Sequence, residues 1–589
     1  MIPLLLTLLG TPALGGPQPL CVDAWCWEWP IGTGARLNDV VALSKKEFIA
    51  VGAGGLVLHW RKGRWQALGR LDQTLNAVRA TSTRDLWVAG NGGLIAHYDG
   101  ESWEIVDVGT EADLSDLWFE AGQLTAVGHK ERDGVIVEGP PEGPFTVTAS
   151  FDRLNALARG TEGLIAVGDD VLLLRRGEEA WEGIPEKRFG RGSGAEPMPE
   201  DDDISVNLHA AWADADGTLW AAGTEILGRH VSLLLKREER GWVPFEIAAD
   251  DNARVTALGG ADGEPIVLTS QGGVGDTVIY TQEGRVWTAD ESIVPQGMRT
   301  ELTSIDGVGG AVFVVGDSGL AARRRRGEWE VLSGAMYSQD FSDMAADIAA
   351  TDDGVNLILG DDGWEEAFVS PSTGMNFAVA VDPDGGLFLA SHEAMSRWQG
   401  TEWTQLPVGG IRNLAAPGVD NAWAAGRNGL LRWDGEAWNK VEGMGGARAV
   451  WASATDVWTA GTGFVAHSDG QTWTRHDLDL GRNYPKSIAA TGAEDAWFLA
   501  GIDTVWHWNG SALEPIAIPE ELRGNRRARA LGAAEGELWV VGSGGLVLRY
   551  ANDEWLPMHA PGADLLFGIE IGDEDVVVYG RNAILRRNR

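Results

Sequence analysis

Cysteine, tyrosine and positive charge are scarce in this sequence, and each shortage narrows what the protein can be. Its 589 residues include 2 Cys and 6 Tyr, and 47 Lys and Arg stand against 86 Asp and Glu. The formal net charge of −39 favours solubility and repels phosphate backbones and anionic membranes. We therefore expect no nucleic-acid partner. An acidic surface also attracts cations such as Ca²⁺, so the composition leaves calcium binding open.

Long apolar runs are missing as well, apart from a short one at the amino terminus. The run from Ile2 to Leu9 is too short to span a bilayer as a helix, and no later stretch is long enough, so we expect no membrane insertion. Ala13-Leu14-Gly15 resembles a small-x-small cleavage site, although no Lys or Arg precedes the apolar run. The sequence predicts a signal peptide over residues 1–15 and a secreted, periplasmic or cell-surface location.

The two cysteines, Cys21 and Cys26, lie just after the predicted cleavage site. In an exported protein, two neighbouring cysteines predict one local disulfide bond. Their C-x4-C spacing differs from the C-x-x-C spacing of redox proteins.

Glycine and tryptophan are abundant instead, with 80 Gly and 28 Trp. So many glycines without a collagen period predict many tight turns. The excess of Trp over Tyr indicates that Trp has a fixed place in a repeated unit. No helical periodicity of any length is present, which argues against an α/β fold.

A repeat of roughly 40 residues runs through the chain. Residues 85–103 are DLWVAGNGGLIAHYDGESW, residues 456–473 are DVWTAGTGFVAHSDGQTW, and residues 537–555 are ELWVVGSGGLVLRYANDEW. Each has an apolar strand with Trp, a Gly-rich turn, an alternating strand, and a further turn before a closing Trp. Together with a first strand such as 75–78, each unit supplies four short strands at hairpin spacing. Such units are typical of β-propeller blades.

The closing Trp sets the period of the repeat. It recurs at ten positions, namely Trp65, Trp103, Trp181, Trp242, Trp287, Trp329, Trp403, Trp438, Trp473 and Trp555. Longer steps mark units that lack it, around residues 114–149, 344–376 and 485–519. The last unit stops at Arg589 before any closing Trp, and Trp29 lies one period before Trp65. We therefore predict that residues 21–30 form the closing strand of the last blade, which hides a sheet edge.

The count of units predicts an all-β protein, a β-propeller fold with fourteen four-stranded blades. One ring of fourteen would leave too wide a hole to pack, so two seven-bladed propellers are expected. We place the first β-propeller at residues 37–333 and the second β-propeller at residues 344–589, with a boundary near Ser333–Ser342. A division into six and eight blades is the alternative.

The consensus D-x-W-x-A-G-x-x-G-x-x-x-x-x-D-G-x-x-W resembles the tandem repeats of exported bacterial β-propeller proteins. It is similar to propellers of the photosystem II assembly factor type and, more distantly, to the Asp-box propellers of sialidases and xyloglucanases. An Asp-box has Asp five residues before Trp, whereas Asp469 lies four residues before Trp473. In either version, we expect the Asp to accept backbone N–H groups and the Trp to pack between blades. The resemblance covers nearly the whole mature chain and implies the fold.

Most of the conspicuous aromatic residues have a structural explanation, because they recur at fixed places. Trp in the closing position and in the second strand is predicted to form the core. Trp364 and Trp506 lie off this pattern, so they are better candidates for stacking on a ligand. His59, His97 and His467 share one place in the third strand and are predicted to be structural.

Acidic residues give no specific catalytic or metal site. The segments 214–217, 352–354 and 382–385 have Asp before Gly but lack the full calcium-loop motif, so we predict hairpin turns. No local spacing assembles a Ser-His-Asp triad or a zinc site. A glycosidase needs two facing carboxylates, and 86 acidic residues always offer some pair. We assign no catalytic residue, no metal ligand and no cofactor.

Departures from the repeat concentrate in the third to sixth units. An insertion at 186–205 and longer second-to-third-strand loops at 129–135, 224–231 and 271–278 share one face of the predicted ring. Variable loops on a rigid scaffold often carry function. These loops bring together the residues of a hypothetical binding surface, Lys130, Arg132, Arg188, Arg191, Arg229 and His230. Simple tolerated insertions are the alternative explanation.

Two functional classes fit the sequence. We favour a non-enzymatic scaffold that binds a protein or a glycan through one propeller face, because the repeats are uniform and no reactive constellation stands out. The alternative is a glycan-active, glycoside hydrolase-like enzyme with its site in the cleft between the propellers, as the xyloglucanase resemblance implies. The fold does not decide between them. The oligomeric state is left open.

Overall fold

A computed structural model describes most of the chain. The described residues are 20–29, 33–150, 152–169, 173–177, 180–183, 205–226, 230–238, 241–247, 253–261, 263–270, 277–283, 286–290, 301–333, 340–352, 354–360, 363–369, 376–391, 393–400, 402–478, 484–558, 560–563 and 565–589. The predicted signal peptide 1–15 lies outside them. Within this part, no helix is long and apolar enough to cross a membrane.

The described chain divides into two compact units, and its strands form antiparallel sheets of four or five strands. The first strands are β1 (Cys21–Val22) and β2 (Trp25–Trp29), which pair with each other as a hairpin. The remaining strands follow in groups that match the sequence repeat, and each group is one blade. Blades are numbered 1 to 14 in chain order.

The first ring lies within Gly32–Ser338 and contains blades 1 to 7. Its strands are, for blade 1, β3 (Leu37–Ser44), β4 (Glu47–Gly52), β5 (Leu56–Arg61) and β6 (Arg64–Arg70); for blade 2, β7 (Leu75–Ser82), β8 (Asp85–Gly90), β9 (Ile95–Tyr98) and β10 (Trp103–Val106); for blade 3, β11 (Asp113–Glu120), β12 (Gln123–Lys130), β13 (Asp133–Gly139) and β14 (Thr146–Ser150); for blade 4, β15 (Leu154–Gly160), β16 (Gly163–Gly168), β17 (Leu173–Arg176) and β18 (Trp181–Gly183); for blade 5, β19 (Ser205–Ala213), β20 (Leu219–Ile226), β21 (His230–Glu238) and β22 (Gly241–Glu246); for blade 6, β23 (Arg254–Ala261), β24 (Glu264–Ser270), β25 (Thr277–Glu283) and β26 (Val286–Asp290); and for blade 7, β27 (Leu302–Val308), β28 (Ala311–Gly316), β29 (Ala321–Arg325) and β30 (Glu328–Ser333).

The second ring contains blades 8 to 14, within Gln339–Arg589, together with β1 and β2. Its strands are, for blade 8, β31 (Phe341–Ala345), β32 (Ile348–Thr351), β33 (Val355–Gly360) and β34 (Gly363–Val369); for blade 9, β35 (Asn376–Val381), β36 (Leu387–Ser391), β37 (Met395–Trp398) and β38 (Trp403–Leu406); for blade 10, β39 (Ile411–Gly418), β40 (Asn421–Gly426), β41 (Gly429–Trp433) and β42 (Trp438–Lys440); for blade 11, β43 (Ala447–Ala452), β44 (Val457–Gly461), β45 (Phe464–Ser468) and β46 (Trp473–Asp477); for blade 12, β47 (Pro485–Gly492), β48 (Asp495–Ala500), β49 (Thr504–Trp508) and β50 (Leu513–Ala517); for blade 13, β51 (Ala528–Ala534), β52 (Glu537–Gly542), β53 (Val547–Ala551) and β54 (Glu554–Pro557); and for blade 14, β55 (Leu566–Ile571), β56 (Asp575–Gly580) and β57 (Ala583–Asn588). A single helical turn, α1 (Glu520–Arg523), joins blades 12 and 13.

Each ring closes through its innermost strands, which are the first strands of the blades. In the first ring every inner strand contacts the next, and β27 of the last blade contacts β3 of the first blade. In the second ring β55 contacts β31 in the same way. The chain is therefore an all-β protein of two seven-bladed propellers, and the six-plus-eight division is wrong.

The amino-terminal hairpin completes blade 14, whose strand order is β1-β2-β57-β56-β55. Trp25 lies opposite Arg587 in this sheet, just as Trp65 lies opposite Trp60 in blade 1. Residues 21–29 thus supply the closing strand of the last blade, as predicted, and Trp25 rather than Trp29 occupies the closing position. The hairpin formed with β1, and a register shift before Trp29, place Trp25 rather than Trp29 at the closing position. The spacing of Trp residues in the sequence does not reveal this. The predicted disulfide joins Cys21 to Cys26 across this hairpin.

In several blades the closing Trp donates a hydrogen bond to the blade before it. The indole N–H of Trp103 donates to the carbonyl of Leu68 at 3.2 Å, and that of Trp25 donates to the carbonyl of Met558 at 3.0 Å. Trp364 lies at the same position in blade 8 and donates to Glu28 at 3.3 Å. Blade 8 therefore has its closing Trp, contrary to the sequence analysis, and Trp364 is structural rather than free for a ligand.

Short polar side chains on several inner strands each join their own blade to the next one. Each accepts the backbone N–H of a residue on the next inner strand, at 2.6–3.0 Å, in the pairs Asp39–Val78, Asp116–Leu157, Asp343–Val379, Asn413–Val450 and Ser487–Leu531. The blades between them carry Ala at this place, for example Ala77 and Ala156. The inner strands therefore need not pair as a sheet to satisfy their N–H groups.

The glycine that ends the second strand of most blades is required by close approach, not by a turn. A Cβ on Gly426 would lie 2.2 Å from the carbonyl oxygen of Gly410, and one on Gly542 would lie 2.0 Å from that of Arg527. The second strand ends against the segment that enters the inner strand. This contact explains the Gly of the Trp-x-Ala-Gly core.

Candidate binding site

The cationic surface predicted on the first ring lies mostly outside the described residues. This holds for Arg188, Arg191 and Arg229, and of His230 the structure describes only the backbone, as the first residue of β21. Lys130 and Arg132 are exposed, and the Lys130 ammonium lies 3.4 Å from Glu111. The 129–135 loop is shorter than predicted, because β12 and β13 extend until Lys130 faces Asp133. This binding surface stays a prediction.

The repeated histidines pair with an acid across the second and third strands. His97 Nε2 lies 2.9 Å from Asp85, and its ring stacks on Trp87 with centroids 4.4 Å apart. His59 and Glu47 form the same kind of pair at 2.8 Å. Such repeated, part-buried pairs stabilise the blades that contain them.

The Asp residues of the turns bind backbone amides. Asp99 Oδ1 accepts the N–H groups of Glu101 and Ser102, both at 2.8 Å, and these bonds lower the pKa of Asp99. Asp382 likewise accepts the N–H of Gly386 at 2.8 Å. Among the described residues, no group of three His, Cys, Asp or Glu side chains is placed to hold a metal ion.

Two carboxyl groups on the inner strands of the second ring have raised pKa values. Burial raises the pKa of Asp343 to about 6, and burial together with Asp343 raises that of Glu570 to about 8, although the Glu570 side chain still meets solvent. Perturbed carboxyls often mark active sites. However, Asp343 accepts the Val379 N–H at 3.0 Å and the Tyr579 hydroxyl at 3.0 Å, so it links blades as Asp39 and Asp116 do. We assign it a structural role.

Every inner strand has a β-bulge at its entry end, and one residue there lies outside the pairing. In the first ring this bulge residue carries no full charge; the set is Asn38, Asn76, Ser115, Asn155, His209, Thr256 and Thr303. In the second ring the set is Ser342, Phe377, Arg412, Arg448, Lys486, Arg529 and Phe567. Bulges redirect side chains and are common beside functional sites.

In the first ring the bulge residue joins blades. The Asn38 amide donates to the carbonyl of Leu75 at 2.8 Å, and the Asn155 amide donates to that of Leu208 at 2.9 Å. In the second ring Lys486 makes the equivalent bond to Ala528 at 3.1 Å. At the same bulge position Arg412, Arg448 and Arg529 carry long charged side chains in place of the amide that joins blades in the first ring. The second ring therefore has the same bulges with a different kind of side chain on them.

Two more arginines flank these bulges at the same end of the second ring. The N–H of Arg427, after the second strand of blade 10, donates to Gly410 at 2.9 Å, and the carbonyl of Arg527 accepts the N–H of Ser543 at 3.0 Å. We call six residues the basic mouth, namely Arg412, Arg427, Arg448, Lys486, Arg527 and Arg529. Five are exposed and Arg448 is half-buried.

The basic mouth carries positive charge that is not neutralised locally. Within the described part of the chain, none of its six residues forms an ion pair, whereas nearby Arg581 pairs with Asp340 at 3.3 Å. The Nε of Arg448 is buried and has no hydrogen-bond partner there. Partial burial, followed by the charges of Arg529 and Arg527, lowers the pKa of Lys486. In a chain of net charge −39, this cluster is a local reversal of sign.

Aromatic rings alternate with these cations. The Arg412 guanidinium lies 5.3 Å from the ring of Phe377, Arg448 lies 5.8 Å from Tyr484, and Arg529 lies 5.5 Å from Phe567. Tyr484 is 44% exposed, so the aromatic surface is accessible.

A cavity of about 560 Å³ opens between blades 9 and 11 at this end of the ring. Phe377, Arg412, Arg427 and Arg448 line it, together with one acidic residue, Glu393. The combination of guanidinium groups, aromatic rings and a concave surface fits recognition of a carboxylate or another anion.

The basic mouth does not stand out in the sequence when each arginine is considered singly. The available signal is the repeated four-residue segment that begins each inner strand, IRNL at 411–414, ARAV at 447–450, PKSI at 485–488 and ARAL at 528–531. A basic residue recurs there at the same repeat position in four consecutive blades.

Comparison with known proteins gives a fold and no family. No protein-family model and no curated protein matches the chain. A GH74 enzyme of Niastella koreensis is similar with a TM-score of 0.60 at 12% identity, covering 96% of this chain and 99% of that one. PorZ, a bacterial surface component of the type-IX secretion system of Porphyromonas gingivalis, has a TM-score of 0.58 at 12% identity, covering 96% of this chain and 87% of that one. YCF48 bound to D1 peptide has a TM-score of 0.37 at 16% identity, covering 52% and 99%. At 12% identity the likeness to the first two structures shows the propeller fold alone.

Proposed function

We propose that this chain is an exported, non-enzymatic scaffold that recognises a protein or a glycan through the basic mouth of the second ring. One observation carries the proposal: six cationic side chains lie together without ion-pair partners among the described residues, in a chain of net charge −39. A folded protein gains nothing in stability from unpaired like charges. Their cost is explained if an anionic group of a partner completes the site.

The proposed location follows from the amino terminus. The apolar run 2–9, the small-x-small site and the Cys21–Cys26 disulfide fit a protein that folds in an oxidising compartment.

The proposed absence of catalysis is supported by the contacts of Asp343 and of the repeated histidines. Asp343 links neighbouring blades through both oxygens, and each repeated His is held by an acid of its own blade. Neither kind of group is free to transfer a proton to a substrate. The basic mouth offers charge and aromatic surface, which suit binding.

The test uses the mature chain 16–589 in a glycan array, a polysaccharide-hydrolysis screen and a protein pull-down with crosslinking. We expect binding without release of reducing ends, and loss of that binding in Arg412→Glu/Arg448→Glu. The matched control is Lys130→Glu/Arg132→Glu in the first ring, which should bind normally. Release of sugar ends would instead favour the glycan-active enzyme, and loss of binding in the control alone would move the site to the first ring.

A further inference from the structure

Four residues of the basic mouth form an arc around the ring. Arg412, Arg448, Lys486 and Arg529 occupy the bulge position of four consecutive blades. Packed sheets lie about 10 Å apart, so the four side chains are spread over about 30 Å. A polypeptide in the polyproline II conformation advances about 3.1 Å per residue with three residues per turn, so carboxylates three residues apart lie on one face and would meet successive blades. A segment of about ten residues would span the arc.

The aromatic rings beside the arginines restrict the kind of ligand further than charge alone. Phe377, Tyr484 and Phe567 each lie 5.3–5.8 Å from a guanidinium of the arc. A ring against one face of a guanidinium fixes its plane and leaves the N–H groups at its edge for a carboxylate. The exposed remainder of each ring is an apolar contact surface between the charges. A ligand that alternates carboxylates with apolar side chains uses both parts.

The acidic remainder of the protein selects against long polyanions. A nucleic acid or a long polyuronate carries negative charge along its whole length. It would extend beyond the mouth, where the negative charge of the protein repels it. Charges separated by more than a Debye length of about 8 Å are screened, but a chain lying on the surface stays within that distance. A short acidic segment places its charge only where the cations are.

We infer that the basic mouth binds an extended polypeptide segment with Asp or Glu at about every third position and apolar residues between them. This inference rests on the proposed function and names the partner class of the same site. The arc supplies one cation per acidic side chain. The partner is a protein that presents such a segment in a loop or a terminus.

The experiment measures fluorescence anisotropy of a labelled peptide, four repeats of Asp-Leu-Ser, with the mature chain at about 50 mM NaCl, where screening is weak. Competing probes are the same peptide with Asn for Asp, the peptide with Ser for Leu, a galacturonate oligomer and a single-stranded RNA of similar length. We expect the Asp-Leu-Ser peptide to bind at least about tenfold more tightly than the Asn and Ser versions, because each of these lacks one half of the recognition. Raising the NaCl concentration should weaken binding of the Asp-Leu-Ser peptide.

Variants localise the binding. Arg412→Glu/Arg448→Glu should weaken the peptide at least about tenfold, and Phe377→Ala/Phe567→Ala should weaken it about threefold or more. Arg412→Lys/Arg448→Lys keeps the charge and should retain part of the affinity, which a damaged fold would not. Circular dichroism and unfolding of each variant check that the second ring is intact. The control Arg64→Glu, at an exposed arginine of the first ring that belongs to neither proposed surface, should bind like the wild type.

The outcomes separate this inference from the proposed function. Binding of galacturonate or RNA at the mouth, without binding of the peptide, overturns the polypeptide inference and leaves an anion-binding scaffold. Equal binding of the Asn and Asp peptides overturns it too, because recognition would not use the cations. If no anionic probe responds to the mouth variants while a glycan is hydrolysed, the proposed function itself is wrong.

Discussion

Replacing Trp25 by Ala tests whether the amino-terminal hairpin locks the second ring. The Trp25 side chain is 0% exposed, and its indole N–H donates to Met558 of blade 13 at 3.0 Å. Truncating a buried Trp costs about 3–5 kcal/mol, including the cavity and the lost bond. A ring of this size should lose about 10 °C in Tm for about 4 kcal/mol. Hydrogen exchange in a urea series, measured on β55–β57 peptides, should show this loss.

The same exchange experiment on first-ring peptides provides the contrast. Each ring has its own closed core, so Trp25→Ala should leave β27–β30 unchanged. Trp65→Ala, in the closing position of blade 1, is the matched variant and should destabilise the first ring instead. A change of no more than about 0.5 kcal/mol in the second ring on Trp25→Ala, the range of an ordinary surface substitution, would contradict this prediction. A shift confined to the first ring would refute it as well.

Three further predictions concern the disulfide and two acids. Replacing both Cys21 and Cys26 by Ser should cost the second ring about 2 kcal/mol in urea unfolding, as expected for a loop of about six residues, and reductant should then have no added effect. Because burial raises the folded pKa of Asp343 to about 6, its ionisation should lower the stability of the second ring as the pH rises from about 4 to 6. Asp343→Asn should flatten this dependence of the unfolding free energy on pH, and an unchanged dependence would contradict the prediction. Burial opposes ionisation of Asp495, but hydrogen bonds from His507 and Thr491 lower its pKa overall. The stability that Asp495 gives at pH 7 should therefore be lost as the pH falls below about 4. In an acid titration, Asp495→Asn should be less stable than the wild type at pH 7 and should lose less stability on acidification.

The architecture was predictable because every blade repeats the same local physics. Alternating strands, Asp turns and a closing Trp are visible in single segments such as 456–473, and their number sets the number of blades. The position of the closing Trp in blade 14 was not predictable, because Trp25 and Trp29 both lie within one period of Trp65. The choice depends on the pairing of β2 with β57, which only the structure gives.

The binding site was harder to predict for a related reason. A lone arginine in a strand is most simply a solvated side chain, so Arg412 or Arg448 draws no attention by itself. Both residues lie on a β-bulge of the inner strand. A bulge depends on how two strands pair and is not marked by any particular residue type, so it cannot be read from the sequence. Without an aligned register, the equivalence of Arg412 with Asn38 is hidden.

That equivalence leads to a final prediction, that the basic mouth exists at the expense of stability. In the first ring Asn38 bonds to the carbonyl of Leu75 on the next inner strand at 2.8 Å. Arg412→Asn should recreate this link, toward the carbonyl of Ala447, and remove one of several like charges. We expect the second ring to gain about 0.5–1.5 kcal/mol in urea unfolding while peptide affinity falls. A loss of both would show that Arg412 is needed for folding, and a gain in stability with unchanged affinity would show that it is needed for neither. Opposite changes are expected only if selection has kept arginine there for a ligand.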